Sequence, residues 1–81
     1  MIELLNVGSD DHCGCRVEEI LVNGVDLYVH YEDGSADAYL DWGDECDPAE
    51  VSLPAPTVFL GRAAVLKWAS AMTLQAEQGA K

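Results

Sequence analysis

The clearest periodicity in the chain has a repeat of two and occupies its middle. Val25, Leu27, Val29 and Tyr31 alternate with Asp26, Tyr28, His30 and Glu32, and Ala36, Ala38, Leu40 and Trp42 alternate with Asp37, Tyr39 and Asp41. Successive strand residues point to opposite faces, so each run has one apolar and one polar side. Residues 16–22, 25–31 and 36–42 are therefore expected as strands. Asn23-Gly24 separates the first two, and both residues tolerate positive φ, which is what a tight hairpin requires. Glu32-Asp33-Gly34-Ser35 separates the second and third. The result is a three-stranded antiparallel meander. Strand 16–22 is less regular, because Glu18 and Glu19 are adjacent and one of them must break the alternation. Residues 2–7 predict a short strand ahead of the meander, and Gly8 to Gly14 a loop dense in turn formers.

Beyond the meander, residues 43–50 read as an acidic loop with room for one helical turn after Pro48, and Pro54 and Pro56 punctuate the approach to a helix. Thr57 is the expected N-cap of a helix running from about 58 to 77 and ending before Gly79. Val58, Val65, Trp68, Ala69, Met72 and Ala76 form one stripe at helical spacing, and Phe59, Ala63, Leu66 and Leu74 widen it beyond an ordinary amphipathic face. One stripe must cover the sheet. The excess is expected to meet either an identical subunit, giving a homodimer through residues 58–77, or residues 1–15 and the proline segment wrapped around the helix. The expected fold class is α+β: a three- to four-stranded antiparallel sheet packed on one C-terminal α-helix, in a single domain over residues 1–81.

Charge changes this picture more than composition does. A hydrophobic content of 49% is too high for a disordered acidic tail. The net charge is −11, and fourteen of the fifteen acids fall in residues 1–50 beside a single base, Arg16. A field of that sign repels nucleic acid and anionic membranes and accelerates encounter with basic proteins. The N-terminus lacks the basic and apolar regions of a signal peptide, and no stretch approaches the roughly 20 apolar residues of a membrane span. Three cysteines, an odd number, then point to a cytoplasmic protein with free thiols.

The polar side of the meander is the expected working surface. Carboxylates two residues apart on a strand stand roughly 6.5–7 Å from each other. Asp37 and Asp41 flank Tyr39; Asp26 and Glu32 flank Tyr28 and His30; the loop residues Asp44, Glu45, Asp47 and Glu50 carry the charge past the end of the sheet. A sheet thus holds negative groups in rows, as a nucleic-acid backbone does. The tyrosines add flat amphipathic contacts of the kind favoured at interface centres. An ordinary solvated face would mix lysine and arginine among the acids. Asp26, Tyr28, Glu32, Asp37, Tyr39, Asp41, Asp44, Glu45 and Asp47 are accordingly the expected partner-binding residues. In this character residues 26–47 resemble the small acidic inhibitors that phages carry, DNA-mimicking anti-CRISPR proteins among them. The resemblance implies occlusion of a basic nucleic-acid-binding surface on a CRISPR effector complex and transfers no individual residue's role. An immunity or antitoxin protein neutralising a basic nuclease is the same device with a different partner, and a small dimeric scaffold protein is the alternative that uses the helix.

His12-Cys13-Gly14-Cys15, with Cys46 and His30, supplies ligand types that zinc accepts. Cys-x-Cys is tighter than the usual spacing of two to four residues, so no metal or cofactor is expected, and a metal-binding module that loses its fold with a chelator ranks third among the function classes. If oxidation occurs, the pairs to expect are Cys15–Cys46 or Cys13–Cys46. A nucleophilic Cys–His pair can be drawn, but nothing in the sequence positions a third group. Paired acids on an open sheet lack the apolar pocket that separates their pKa values, and the glycines fit no phosphate loop. The expectation is a binding protein, not an enzyme.

Overall fold

The computed structural model describes residues 2–11, 13–43 and 47–79, with side chains as far as Leu74. Five strands, β1 (Ile2–Ser9), β2 (Arg16–Val22), β3 (Val25–Glu32), β4 (Gly34–Asp41) and β5 (Ala49–Ala55), precede one helix, α1 (Val58–Gly79). They form a single antiparallel meander in the order β1-β2-β3-β4-β5, with α1 across one face.

The hairpin between β2 and β3 turns at Asn23 (φ 51°) and Gly24 (φ 83°), two consecutive left-handed residues that match the twist of the flanking strands. Register places Val22 opposite Val25 and Ile20 opposite Leu27. Across the next hairpin Leu27 faces Leu40 and Val29 faces Ala38. Ile20, Val22, Leu27, Val29, Tyr31, Ala36, Ala38 and Leu40 thus all point to the helix side, and all are buried. Trp42 packs half-buried against this core, just past the end of β4.

The sheet has five strands where three to four were expected, and β5 is the correction. Ala49, Val51, Leu53 and Ala55 alternate toward the helix, while Glu50, Ser52 and Pro54 alternate away. A proline removes a backbone donor, which an edge strand tolerates on its solvent side. Pro54 therefore sits within a strand and does not end one. The N-terminal strand runs to Ser9, with a bulge at Leu5 between the pairs Leu4–Ile20 and Asn6–Glu19.

Helix α1 is capped as expected: Thr57 Oγ1 accepts the Leu60 N–H at 3.1 Å. Its contact line on the sheet is Gly61, Val65, Ala69 and Thr73, at intervals of four. Only Val65 and Ala69 belong to the stripe read from hydrophobicity. Gly61 and Thr73 were selected by fit: a Cβ at Gly61 would lie 2.7 Å from the Ala55 Cβ and 3.3 Å from Tyr31 Cε1. Thr73 accepts a 2.9 Å hydrogen bond from Asn23 Nδ2 and donates to the Ser70 carbonyl, tying the helix to the first hairpin. The helix lies mainly over β5 and β4. Ile2, Leu4, Leu5 and Val7 of β1 are left 42–52% exposed, and Phe59, Leu60 and Leu74 on the helix are exposed as well. Residues 2–9 pair with β2 and residues 49–55 with β4, so neither segment wraps the helix. No helix among the described residues is long and apolar enough to cross a membrane.

Candidate functional site: the open face of the sheet

The adjacent glutamates of β2 resolve into two environments. Glu18 turns toward the helix and is buried, while Glu19 turns to the open face. A carboxylate without water needs donors on both oxygens. Glu18 has them: Tyr31 Oη donates to Oε1 at 2.8 Å, Arg62 Nε to Oε1 at 2.9 Å, Arg16 Nε to Oε2 at 2.7 Å, and Arg62 Nη2 also bonds Oε2. Burial alone would raise the pKa of this carboxyl. The bonds from Arg62, Arg16 and Tyr31 outweigh burial and lower it to about 2. The same bonds hold the Arg62 guanidinium above its ordinary pKa, while burial and Glu18 raise the Tyr31 phenol. Two of the four basic residues in the chain are thereby committed to the helix side.

The open face is what remains. Alternation and register put Glu3 on it from β1, Glu19 from β2, Asp26 and Glu32 from β3, Asp37 and Asp41 from β4, and Glu50 from β5. Among the described residues no lysine or arginine shares that face; His30 is its one candidate cation. One row crosses all five strands, Asn6–Glu19–Tyr28–Tyr39–Glu50. At its centre the two tyrosine rings meet with centroids 6.2 Å apart and planes tilted by 54°, a favourable aromatic geometry. Tyr28 and Tyr39 are 41% and 37% exposed, large aromatic surfaces left to solvent. The next row places Asp26 directly opposite Asp41, a like-charge pair that costs stability in a sheet. On the other side His30 faces Asp37, whose Oδ1 accepts a 2.6 Å bond from Ser52 Oγ. Asp41 Oδ1 accepts the Gly43 N–H at 3.0 Å.

The face is concave, with a hollow of about 790 Å³ over Tyr28, Tyr39, Val17 and His30. Its negative field registers on Tyr28. The phenol is raised above its usual value first by the Glu19 carboxylate, then by desolvation, then by Asp26 and Asp41.

The structure brings together Asp26, Tyr28, Glu32, Asp37, Tyr39 and Asp41 as expected. Asp47 is exposed in the segment before β5, and Asp44 and Glu45 lie outside the described residues. Glu3 and Glu19 were not among the expected residues, and Glu50, expected in the acidic loop past the sheet, stands on β5 opposite Tyr39. Glu19 needed the phase of β2, which the buried Ile20 and Val22 fix, and the position of Glu50 needed the recognition of β5.

The cysteines also differ from expectation. Cys13 and Cys15 are disulfide-bonded to each other with Cα atoms 5.3 Å apart, whereas free thiols or a pairing with Cys46 were expected; Cys46 lies outside the described residues. A Cys13–Cys15 pair was not among the expected pairings; Gly14 (φ 69°) lets the turn fold the two sulfurs together. Around them Asp10 N–H donates to the Cys15 carbonyl and Gly14 N–H to the Asp10 carbonyl, each at 2.8 Å. This loop stands beside His30 at the end of the acidic hollow.

No protein-family model, curated protein or solved structure matches the chain.

Proposed function

We propose that the chain is a cytoplasmic acidic inhibitor whose open face seats on, and occludes, a basic nucleic-acid-binding surface of another protein. A CRISPR effector complex, as in the anti-CRISPR resemblance, and a nuclease neutralised by an immunity or antitoxin protein are the two target classes. The observation that carries this reading is the row of carboxylates around the Tyr28–Tyr39 pair, on a face with no lysine or arginine among the described residues. Asp26 opposite Asp41 costs folding stability, and a cationic partner between them would reverse the sign of that term. Tyrosines ringed by acids also suit arginine side chains, which stack on aromatic faces while pairing with carboxylates. Nothing here requires direct contact with nucleic acid, a membrane or a cofactor.

Size sets how much of the face must engage. Five strands of seven or eight residues span about 20 by 25 Å in projection, roughly 500 Å². A standard interface buries about 800 Å² per partner. Accessible area exceeds projected area on a corrugated face, so an interface of this size engages most of the open face. Tested against purified nucleases and CRISPR effector complexes from bacterial hosts, the chain should displace a labelled duplex at near-stoichiometric ratio, less well as salt rises. Undisturbed duplex binding across the panel would count against the proposal.

A second reading, a dimeric scaffold, draws on different residues: Phe59, Leu60 and Leu74 on the helix, with Phe59 74% exposed. Sedimentation separates the two, because self-association through α1 leaves the acidic face unused.

A further inference from the structure

We propose that Cys13, Cys15 and His30 form a three-residue zinc site, its fourth position open to solvent, that becomes available when the Cys13–Cys15 disulfide is reduced. His30 Nε2 lies 3.3 Å from Cys13 Sγ and 3.4 Å from Asp10 Oδ2. The donor atoms of Cys13, Cys15 and His30 all fall within 4.8 Å of one another. Tetrahedral zinc, with bonds of about 2.3 Å to sulfur and 2.0–2.1 Å to nitrogen or oxygen, sets S···N near 3.6 Å and N···O near 3.4 Å. The Cys13–His30 separation is close to the first of these, and Asp10, near His30 but outside the three-residue group, is a neighbour of the site and not a ligand.

The other nitrogen of the ring supports the same reading. His30 Nδ1 stands 3.4 Å from Glu32 Oε1. A metal-ligating histidine ordinarily directs its second ring nitrogen at a carboxylate, which fixes the tautomer and makes the ligand more basic. A disulfide needs neither a histidine at its sulfur nor carboxylates at both ring nitrogens. The site draws on two elements. The β1–β2 loop supplies Cys13 and Cys15, and β3 supplies His30, so the sheet compensates for a cysteine spacing too short to hold zinc alone. Cys13 is exposed and Cys15 half-buried, which leaves an ion a path from solvent.

A dithiol reductant gives two electrons and two protons to the S–S bond, which breaks to two thiols, and the reductant leaves as its own disulfide. Zinc then binds both sulfurs as thiolates and releases their two protons to solvent. A disulfide oxidant reverses this: it takes the two electrons from the thiolates and two protons from solvent, leaves as two thiols, and the Cys13–Cys15 bond re-forms and expels the ion.

Cobalt(II), a spectroscopic stand-in for zinc, tests this on the full chain reduced with a phosphine. The reduced chain should take up one cobalt with a thiolate-to-metal charge-transfer band, lose the band to one equivalent of zinc, and show no band when oxidised. C15S and H30A should each weaken zinc binding by about 100-fold or more and E32Q by about tenfold, while C46S keeps the band. No band in the reduced chain, undiminished binding in H30A, or loss of the band in C46S would overturn the assignment.

Discussion

Arg62 of α1 reaches across the layer interface and bonds both oxygens of Glu18 on β2, with Nε 2.9 Å from Oε1. This contact joins the two layers and removes a cation from the surface. With Arg16 on the same carboxylate, it leaves the open face to the acids. Removing one partner of a buried pair strands the other charge, at about 3–5 kcal/mol. R62A should therefore destabilise the fold by about 3 kcal/mol, somewhat cushioned by Arg16, and Y31F by about 1 kcal/mol for the lost hydrogen bond. Urea unfolding midpoints at constant slope would measure both.

The pH dependence follows from the same carboxyl. It titrates near 4.5 when unfolded and at about 2 when folded. Its contribution is thus fully present above pH 4.5 and is lost as pH falls toward 2, amounting to about 3 kcal/mol. Protonating the other acids relieves their mutual repulsion and acts in the opposite direction. The readout is therefore the difference between wild type and E18Q, which should shrink between pH 5 and pH 2. A constant difference would show that Glu18 titrates normally.

Gly61 is the point of closest approach between helix and sheet. A methyl group there meets the Ala55 Cβ at 2.7 Å, with Tyr31 and Ala36 close behind. Overpacking of this kind costs about 1–3 kcal/mol. G61A should be destabilising although alanine favours helix, and thermal melts of G61A beside A63G, at an exposed helix position, would separate packing from propensity.

Neutralising the acid pair should have opposite effects on folding and binding. D26N or D41N removes a like-charge contact and should stabilise the free chain by about 0.2–1 kcal/mol. The same change should weaken partner binding. A substitution that leaves both unchanged would indicate a merely solvated face.

Much of the fold was legible because its signals are local. The alternation in residues 25–42, Asn23-Gly24 and the Thr57 cap each act within a few residues, and each stands where expected. The phase of β2 was ambiguous because Glu18 is a charged residue in a core position, and its partner Arg62 is 44 residues away. Strand β5 was hidden by Pro54, whose meaning depends on whether its strand lies at an edge. The line Gly61–Val65–Ala69–Thr73 was half hidden, since close approach selects small residues and a hydrophobic stripe selects large ones. The meeting of Cys13 with His30 depends on how the β1–β2 loop folds back, which no spacing reveals.

The most direct test of the acidic face compares the immobilised wild-type chain with a D26N/D37N/D41N/E50Q variant. Both would be exposed to nuclease-treated bacterial lysate at low and high salt, and the retained proteins identified by mass spectrometry. Wild type should retain a basic nucleic-acid-binding protein or complex, salt should release it, and the folded variant should not retain it. Equal retention of the same proteins by both chains, insensitive to salt, would contradict the proposed function.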